Sequence, residues 1–271
     1  MGKSGPLRKN SLARKIILLL ALVGNYYETY FNYKLIRRSL YHGYRCRSNL
    51  YNSVNNLLSV GDIEKKIVNG KIVLRLSSQG DAKIHQDLNF FKFGEQKWDG
   101  FWRMVIFDIK EKNRRSRRTL RDKLQELGFG LWQKSVYLSP FNIEDEINDF
   151  LENAKLYGSA YCLKAEKIGK NDDREIANSV FKLEKLENEY NEINDCFKDM
   201  ISDLENEEIN LSKITKCINN YYATIWKDPG LPKELLPYSW VGEKVRKSFS
   251  GLIHLLNKEN LKIKVSEVST N

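Results

Sequence analysis

Residues 98–139 read WDGFWRMVIFDIKEKNRRSRRTLRDKLQELGFGLWQKSVYLS, and this stretch decides the fold class. Trp102–Ile109 is a short apolar run around Val105, Ile106 and Phe107, which predicts a buried strand ending at Asp108. Arg114–Leu127 repeats leucine at positions 120, 124 and 127 and turns Arg114, Arg115, Arg117, Arg118 and Arg121 outward, the pattern of an amphipathic helix. Gly128–Gln133 and Ser135–Leu138 predict two further short strands. Ile143–Ala154 predicts an acidic amphipathic helix, and Tyr161–Ala165 a closing strand. The order βαββαβ is that of a ferredoxin-like sandwich, assigned to residues 98–170.

Upstream, the pattern changes. Ile16–Val23 is the apolar run IILLLALV behind Lys3, Arg8, Lys9, Arg14 and Lys15. It resembles a signal peptide's apolar core, yet no A-x-A-like cleavage site follows, and it falls short of the roughly 20 apolar residues needed to span a bilayer. Leu12, Ile16, Leu19, Leu20 and Val23 recur at helical spacing with Ser11 as N-cap, so a buried first helix is expected after a basic flexible tail, residues 1–10. Phe31–Tyr41 reads as a second, basic helix with Lys34, Arg37 and Arg38. Arg45–Leu58 reads as a third, with Leu50, Val54, Leu57 and Leu58 as its apolar stripe. Its opposite face carries Arg45, Arg47, Asn49, Asn52 and Asn55, side chains of the types that read base edges and phosphates. Ile63–Val68 and Lys71–Leu76 alternate around Asn69-Gly70, a strong hairpin signal because a type I′ turn needs positive φ at both central residues. Three helices and a basic hairpin are the layout of a winged helix-turn-helix, assigned to residues 11–90. Lys65, Lys66 and Lys71 of the wing would lie near phosphates.

Downstream, residues 171–271 are expected to form a helical C-terminal domain. Val180, Leu183, Leu186, Tyr190, Ile193 and Phe197 mark one long amphipathic helix, and Asp228-Pro229-Gly230-Leu231-Pro232 forces a bend. The fold class is therefore α+β, with winged-helix, ferredoxin-like and helical parts in that order.

The charge is unevenly spread. The chain of 271 residues carries a formal +10, but residues 1–97 hold +11 and residues 171–210 hold −9. A basic N-terminal third suits a polyanion such as double-stranded DNA. A hydrophobic fraction of 41% excludes a largely disordered chain, and 5 Pro with 16 Gly exclude a collagen-like one. Cys46, Cys162, Cys196 and Cys217 are scattered without C-x-x-C or nearby His, which argues against a disulfide framework or zinc site and fits a cytoplasmic protein. No Walker A loop, G-x-S-x-G or H-E-x-x-H motif occurs. The Arg114–Arg118 cluster reads three ways: a solvated helix face, a contact to DNA backbone, or a contact to the acidic 171–210 stretch, the last being favoured because packed like charges call for a counter-charge.

Two stretches are similar to a known family. Trp98–Ile109 with the Arg-rich helix and Leu127-Gly128-Phe129-Gly130 resembles the central domain of the PaaX family. Asp228-Pro229-Gly230-Leu231-Pro232-Lys233-Glu234-Leu235-Leu236-Pro237-Tyr238-Ser239-Trp240 resembles that family's "DP-LP-LLP-W" segment. PaaX proteins are bacterial transcriptional repressors, best known for controlling phenylacetate degradation through an acyl-CoA ligand. The resemblance implies a homodimeric operator-binding regulator with an N-terminal winged helix, and it allows a small-molecule effector, although no matched residues identify one. The central block is also similar to the small CRISPR-adaptation endonucleases, whose first-strand Asp is matched by Asp108 and whose "Q-S-V" segment is matched by Gln133, Ser135 and Val136. This second resemblance makes Asp108 the one alternative catalytic and Mg²⁺-binding residue, provided two copies meet across a dimer. The favoured reading gives Asp108 a structural role and the chain no enzymatic activity and no cofactor. A third reading makes the chain a nucleic-acid-binding subunit of a larger assembly.

Overall fold

The computed structural model describes residues 12–24, 31–32, 46–68, 71–94, 96–166, 172–206 and 211–257; the expected basic tail and the N-cap Ser11 lie outside them. The chain forms two compact units. The first gathers the chain up to Asp87, Glu187–Trp226 and the chain from Val241, and the second Leu88–Leu186 and Lys227–Trp240.

At the centre of the first unit is α1 (Leu12–Gly24). Ile16, Ile17, Leu18 and Leu19 are all fully buried, so the helix is covered on every side and not along one stripe. Its neighbours are α2 (Cys46–Ser59), the strand β3 (Lys71–Leu76), α3 (Ser78–Asp87) and, from the far end of the chain, α10 (Gly242–Asn257). Among the described residues, no helix is long and apolar enough to cross a membrane. Polar groups tie α1 in place. Arg14 bonds Asp87 at 3.1 Å and lies 3.8 Å from the ring centre of Trp226, and Lys15 donates to Asn219 at 2.7 Å. Burial pulls the Arg14 guanidinium below its ordinary value, against the opposing pull of Asp87.

The sheet of this unit has the order β1-β3-β2, all antiparallel, with β1 (Phe31–Asn32) and β2 (Ile63–Val68) flanking β3. β2 and β3 pair as the Asn-Gly signal predicts, from Ile63↔Leu76 to Val68↔Lys71. Phe31 and Asn32 depart from the helix expected over Phe31–Tyr41: they are extended, with Phe31 opposite Leu74. Pairing with a buried strand overrides local helical spacing here. Residues 33–41 of that expected helix lie outside the described residues. The acidic stretch also differs from one long helix. It forms α7 (Asp173–Phe181) and α8 (Leu183–Glu205), separated by Lys182 at φ 57°, with the Asn178 side chain accepting from the Glu184 N–H at 2.9 Å. α9 (Leu211–Ile225) follows.

The second unit begins with α4 (Asn89–Phe93) and then follows the predicted order: β4 (Trp102–Phe107), α5 (Arg114–Glu126), β5 (Gly130–Gln133), β6 (Val136–Ser139), α6 (Glu144–Asn153) and β7 (Ala160–Ala165). The strands are antiparallel in the order β5-β6-β4-β7. Val105, Phe107 and Tyr137 form one core with Leu120 and Leu124 of α5 and Ile147 and Leu151 of α6. Arg103 is fully buried in β4. Its Nη1 and Nη2 donate to the two oxygens of Asp99 at 2.7 and 2.6 Å, Nη1 reaches the Phe101 carbonyl at 3.0 Å, and Nε lies 2.9 Å from Glu144 at the start of α6. One guanidinium thus joins the strand, the loop before it and a helix N-terminus, where an acid is also favoured by the helix dipole.

Two glycines permit close packing. Gly128, at φ +81°, has no room for a Cβ, which would meet the Phe93 and Phe141 rings at 2.9 Å. Those rings stack at 3.7 Å. Gly230, at φ +66°, would drive a Cβ to within 2.4 Å of the Asn89 carbonyl. Its N–H is held by Asp228 at 2.9 Å, so the 228–232 bend docks on the second unit and buries Leu231 and Leu235 in that core.

The Arg103 arrangement carries a stability prediction. Its hydrogen bonds hold the Asp99 carboxyl below the usual carboxylate range. A depressed carboxylate stabilises the fold above its unfolded pKa and loses that contribution as pH falls through the folded value. Arg103→Met should lower unfolding free energy by about 1–3 kcal/mol at neutral pH, since it removes the charge-assisted hydrogen bonds to Asp99 and the ion pair with Glu144, two carboxylates that both keep access to water. It should also flatten the loss of stability on acidification below about pH 4. Urea unfolding across that pH range checks both effects.

Candidate nucleic-acid interface

α2 separates its residues by solvent exposure. Leu50, Val54 and Leu57 are buried, while Asn49, Tyr51, Asn52, Asn55 and Asn56 are exposed. No acidic residue occurs anywhere in its 14-residue sequence, so nothing on the helix itself repels a polyanion. Asn amides both donate and accept, which suits base edges as well as phosphate oxygens.

The turn from α2 into β2 is tightly held. Asp62 is fully buried and accepts from Lys83 at 2.8 Å and Gln79 at 3.1 Å, both on α3. Gln79 also donates to the Val60 carbonyl at 2.9 Å, and the Ser77 hydroxyl donates to the Gly61 carbonyl at 2.5 Å. Gly80 lies so close that a Cβ would sit 2.0 Å from the Asp62 carbonyl oxygen. The end of α2, the start of β2, the end of β3 and the start of α3 are therefore joined by one polar network, which fixes the exposed helix relative to the hairpin. Across the hairpin, Arg75 Nη2 lies 2.6 Å from Glu64.

Of the residues expected to touch DNA, Asn49, Asn52 and Asn55 are exposed on α2, and Lys65 is exposed on β2. Arg47, Lys66 and Lys71 lie on α2, β2 and β3, but their side chains fall outside the described residues, as does the whole of Arg45. Two exposed apolar side chains in this region are not evident from sequence. Tyr51 is 59% exposed among the asparagines, and Ile67 is 73% exposed near the hairpin tip. Strand alternation alone does not mark Ile67, because the same spacing serves a buried position.

Asp108 lies just beyond β4, exposed, with its N–H donating to the Ser159 carbonyl at 2.8 Å. The Ser135 carbonyl of the "Q-S-V" segment accepts from the neighbouring Phe107 N–H at 3.1 Å. Among the described residues, no group of three or more His, Cys, Asp or Glu is placed to hold a metal ion.

Comparison with known proteins places the chain in a family. Residues 95–177 match the family description "PaaX protein central Cas2-like domain", and residues 181–263 match "PaaX-like protein C-terminal domain". The transcriptional repressor PaaX of Escherichia coli (strain K12) is 24% identical over 185 residues, which make up 64% of this chain and 55% of that protein. The match thus spans little more than half of the curated relative's length. An uncharacterized protein from Mycobacterium tuberculosis has a similar fold, with a TM-score of 0.51 and 18% identity over 91% of this chain and 96% of its own. With two successive family domains covering more than half of its length, the chain belongs to the PaaX family.

Proposed function

We propose that this protein is a DNA-binding transcriptional regulator, acting as a repressor, that grips operator DNA as a homodimer in the cytoplasm. The carrying observation is the acid-free, Asn-rich exposed face of α2, locked by the Asp62 network to a lysine-bearing hairpin. On this reading residues 11–90 are a winged helix-turn-helix with α2 as the recognition helix. The order α1, β1, α2, β2, β3 and the strand order β1-β3-β2 support it. Arg45, Arg47, Asn49, Asn52 and Asn55 face the major groove, and Lys65, Lys66 and Lys71 the phosphates. The E. coli relative's designation as a transcriptional repressor agrees with this role.

Residues 98–170 are read as a ferredoxin-like dimerisation domain, consistent with the strand order β5-β6-β4-β7, and residues 171–271 as the helical C-terminal domain. One face of the sheet is covered at one end only. There Trp102 donates to Asp173 of α7 at 2.7 Å, while Ile106, Tyr161 and Leu163 remain 38%, 56% and 49% exposed. The pairings Ile106↔Tyr161 and Met104↔Leu163 set these side chains side by side. An apolar patch of this kind fits a second copy of the chain. A small-molecule effector would act by favouring a dimer geometry whose half-site spacing no longer matches the operator. The proposed role is not enzymatic.

Asn52→Ala should weaken binding to the preferred sequence by about 1–3 kcal/mol and leave scrambled duplex unaffected. Lys65→Ala should instead weaken all sequences alike and flatten the salt slope by about one unit. Fluorescence anisotropy over a salt series separates the two; unaltered specific binding by Asn52→Ala would contradict the assignment of α2. Light scattering should give about twice 31.7 kDa for the wild type, and Leu163→Lys should shift it toward the monomer. Folded Asp108→Ala should bind operator as the wild type does, and neither protein should cleave DNA or RNA with Mg²⁺ or Mn²⁺ in a nuclease assay.

A further inference from the structure

The basic face of α5 belongs to neither the α2 surface nor the apolar sheet face. Arg114, Arg115, Arg118 and Arg121 are all exposed, opposite the buried Leu120 and Leu124. Lys110 and Lys112 are exposed in the segment leading into it. Positions 114, 118 and 121 follow at steps of four and three, so they stack on one side of the helix, one turn apart. The first turn contains no acidic residue. Cations there face the positive end of the helix dipole, and neighbours one turn apart repel each other. Arg117 serves the fold locally, because its guanidinium donates to the Ile109 carbonyl in the loop after β4. Arg118 lies 3.8 Å from Asp122, but both side chains are largely in solvent, 85% and 70% exposed, where such a pair contributes little.

We infer that the exposed face of α5 is a second, sequence-independent binding surface for the phosphodiester backbone of nucleic acid. Two properties select that ligand. The residues are arginines and not lysines, and the planar guanidinium fork matches phosphate oxygens two at a time. They are repeated turn after turn, which suits a ligand whose charge also repeats along its length. This choice of ligand rests on the DNA-binding function proposed above, but it concerns a different surface.

The test uses the full-length chain with Arg114, Arg115, Arg118 and Arg121 changed together, once to Gln and once to Lys. Binding is measured against the preferred duplex and a scrambled duplex of equal length over a salt series. The Gln variant should lose affinity for both duplexes by the same factor, and its slope of log K against log salt should flatten by about two to four units. The Lys variant should keep most of the slope. Thermal unfolding of the Gln variant should stay cooperative and near the wild type, since Arg115, Arg118 and Arg121 are exposed on the helix surface. An unchanged slope in the Gln variant overturns the inference. So does tighter DNA binding or an altered molecular mass at unchanged slope, which would instead assign the arginines to the chain's own acidic stretch. The two proposals fail separately. A wild type that selects no sequence yet shows the Gln-dependent slope removes the regulator and keeps this surface. Loss of specific binding in Asn52→Ala beside an unaffected Gln variant does the reverse.

Discussion

The constraint on which the first unit depends is the burial of α1 on every side. A helix with Ile16, Ile17, Leu18 and Leu19 all withdrawn from water cannot be covered by a single partner layer. Each such side chain contributes on the order of 1.5–3 kcal/mol when fully buried. α2, β3 and α3 supply part of the cover, and α10, more than two hundred residues later, supplies more. Arg14 and Lys15 extend the same attachment through Trp226, just past α9, and Asn219 of α9. The exposed face of α2 is therefore presented by a core that both ends of the chain build together. A change deep in α9 or α10 should be felt at the exposed face of α2 through α1, without touching a residue of that face.

The second unit is organised around a different kind of constraint. Arg103 brings a permanent charge into β4, and burial penalises it until Asp99 and Glu144 close around it. A buried charge of this kind specifies geometry more than it adds net stability, because apolar groups in place of the guanidinium and both carboxylates together would avoid the desolvation altogether. It fixes the loop before β4 and the start of α6 relative to one strand. The 228–232 bend adds a second attachment to this unit, through Gly230 against Asn89 and the Arg174 guanidinium, which donates to the Leu236 carbonyl and lies 4.0 Å from the ring centre of Tyr238. The two motifs that carry the family resemblance, around Trp98–Ile109 and Asp228–Trp240, are thus joined in one compact unit.

Where sequence signals were local and strong, they located the elements. Asn69-Gly70 between alternating runs placed β2 and β3, and the Leu120/Leu124 repeat placed α5. The Leu50/Val54/Leu57 stripe correctly implied that Asn49, Asn52 and Asn55 lie outward. Phe31–Asn32 failed because a two-residue strand is made by its partner β3 and has no period of its own. The break at Lys182 failed because the apolar spacing continues through it, while the left-handed residue and the Asn178 cap that end one helix and start the next leave no hydrophobic trace. The burial of α1 on all sides was legible only as a stripe, since the last part of its cover comes from distant sequence. The same holds for Tyr51 and Ile67, whose exposure depends on what the rest of the fold leaves open.

As proposed, this chain recognises a particular duplex sequence. Selection from a random duplex pool by the full-length protein tests it most directly. The expected result is enrichment of one motif as two related half-sites, centred about 10 base pairs apart or a multiple of that. A folded protein that retains duplex without enriching any motif would contradict it.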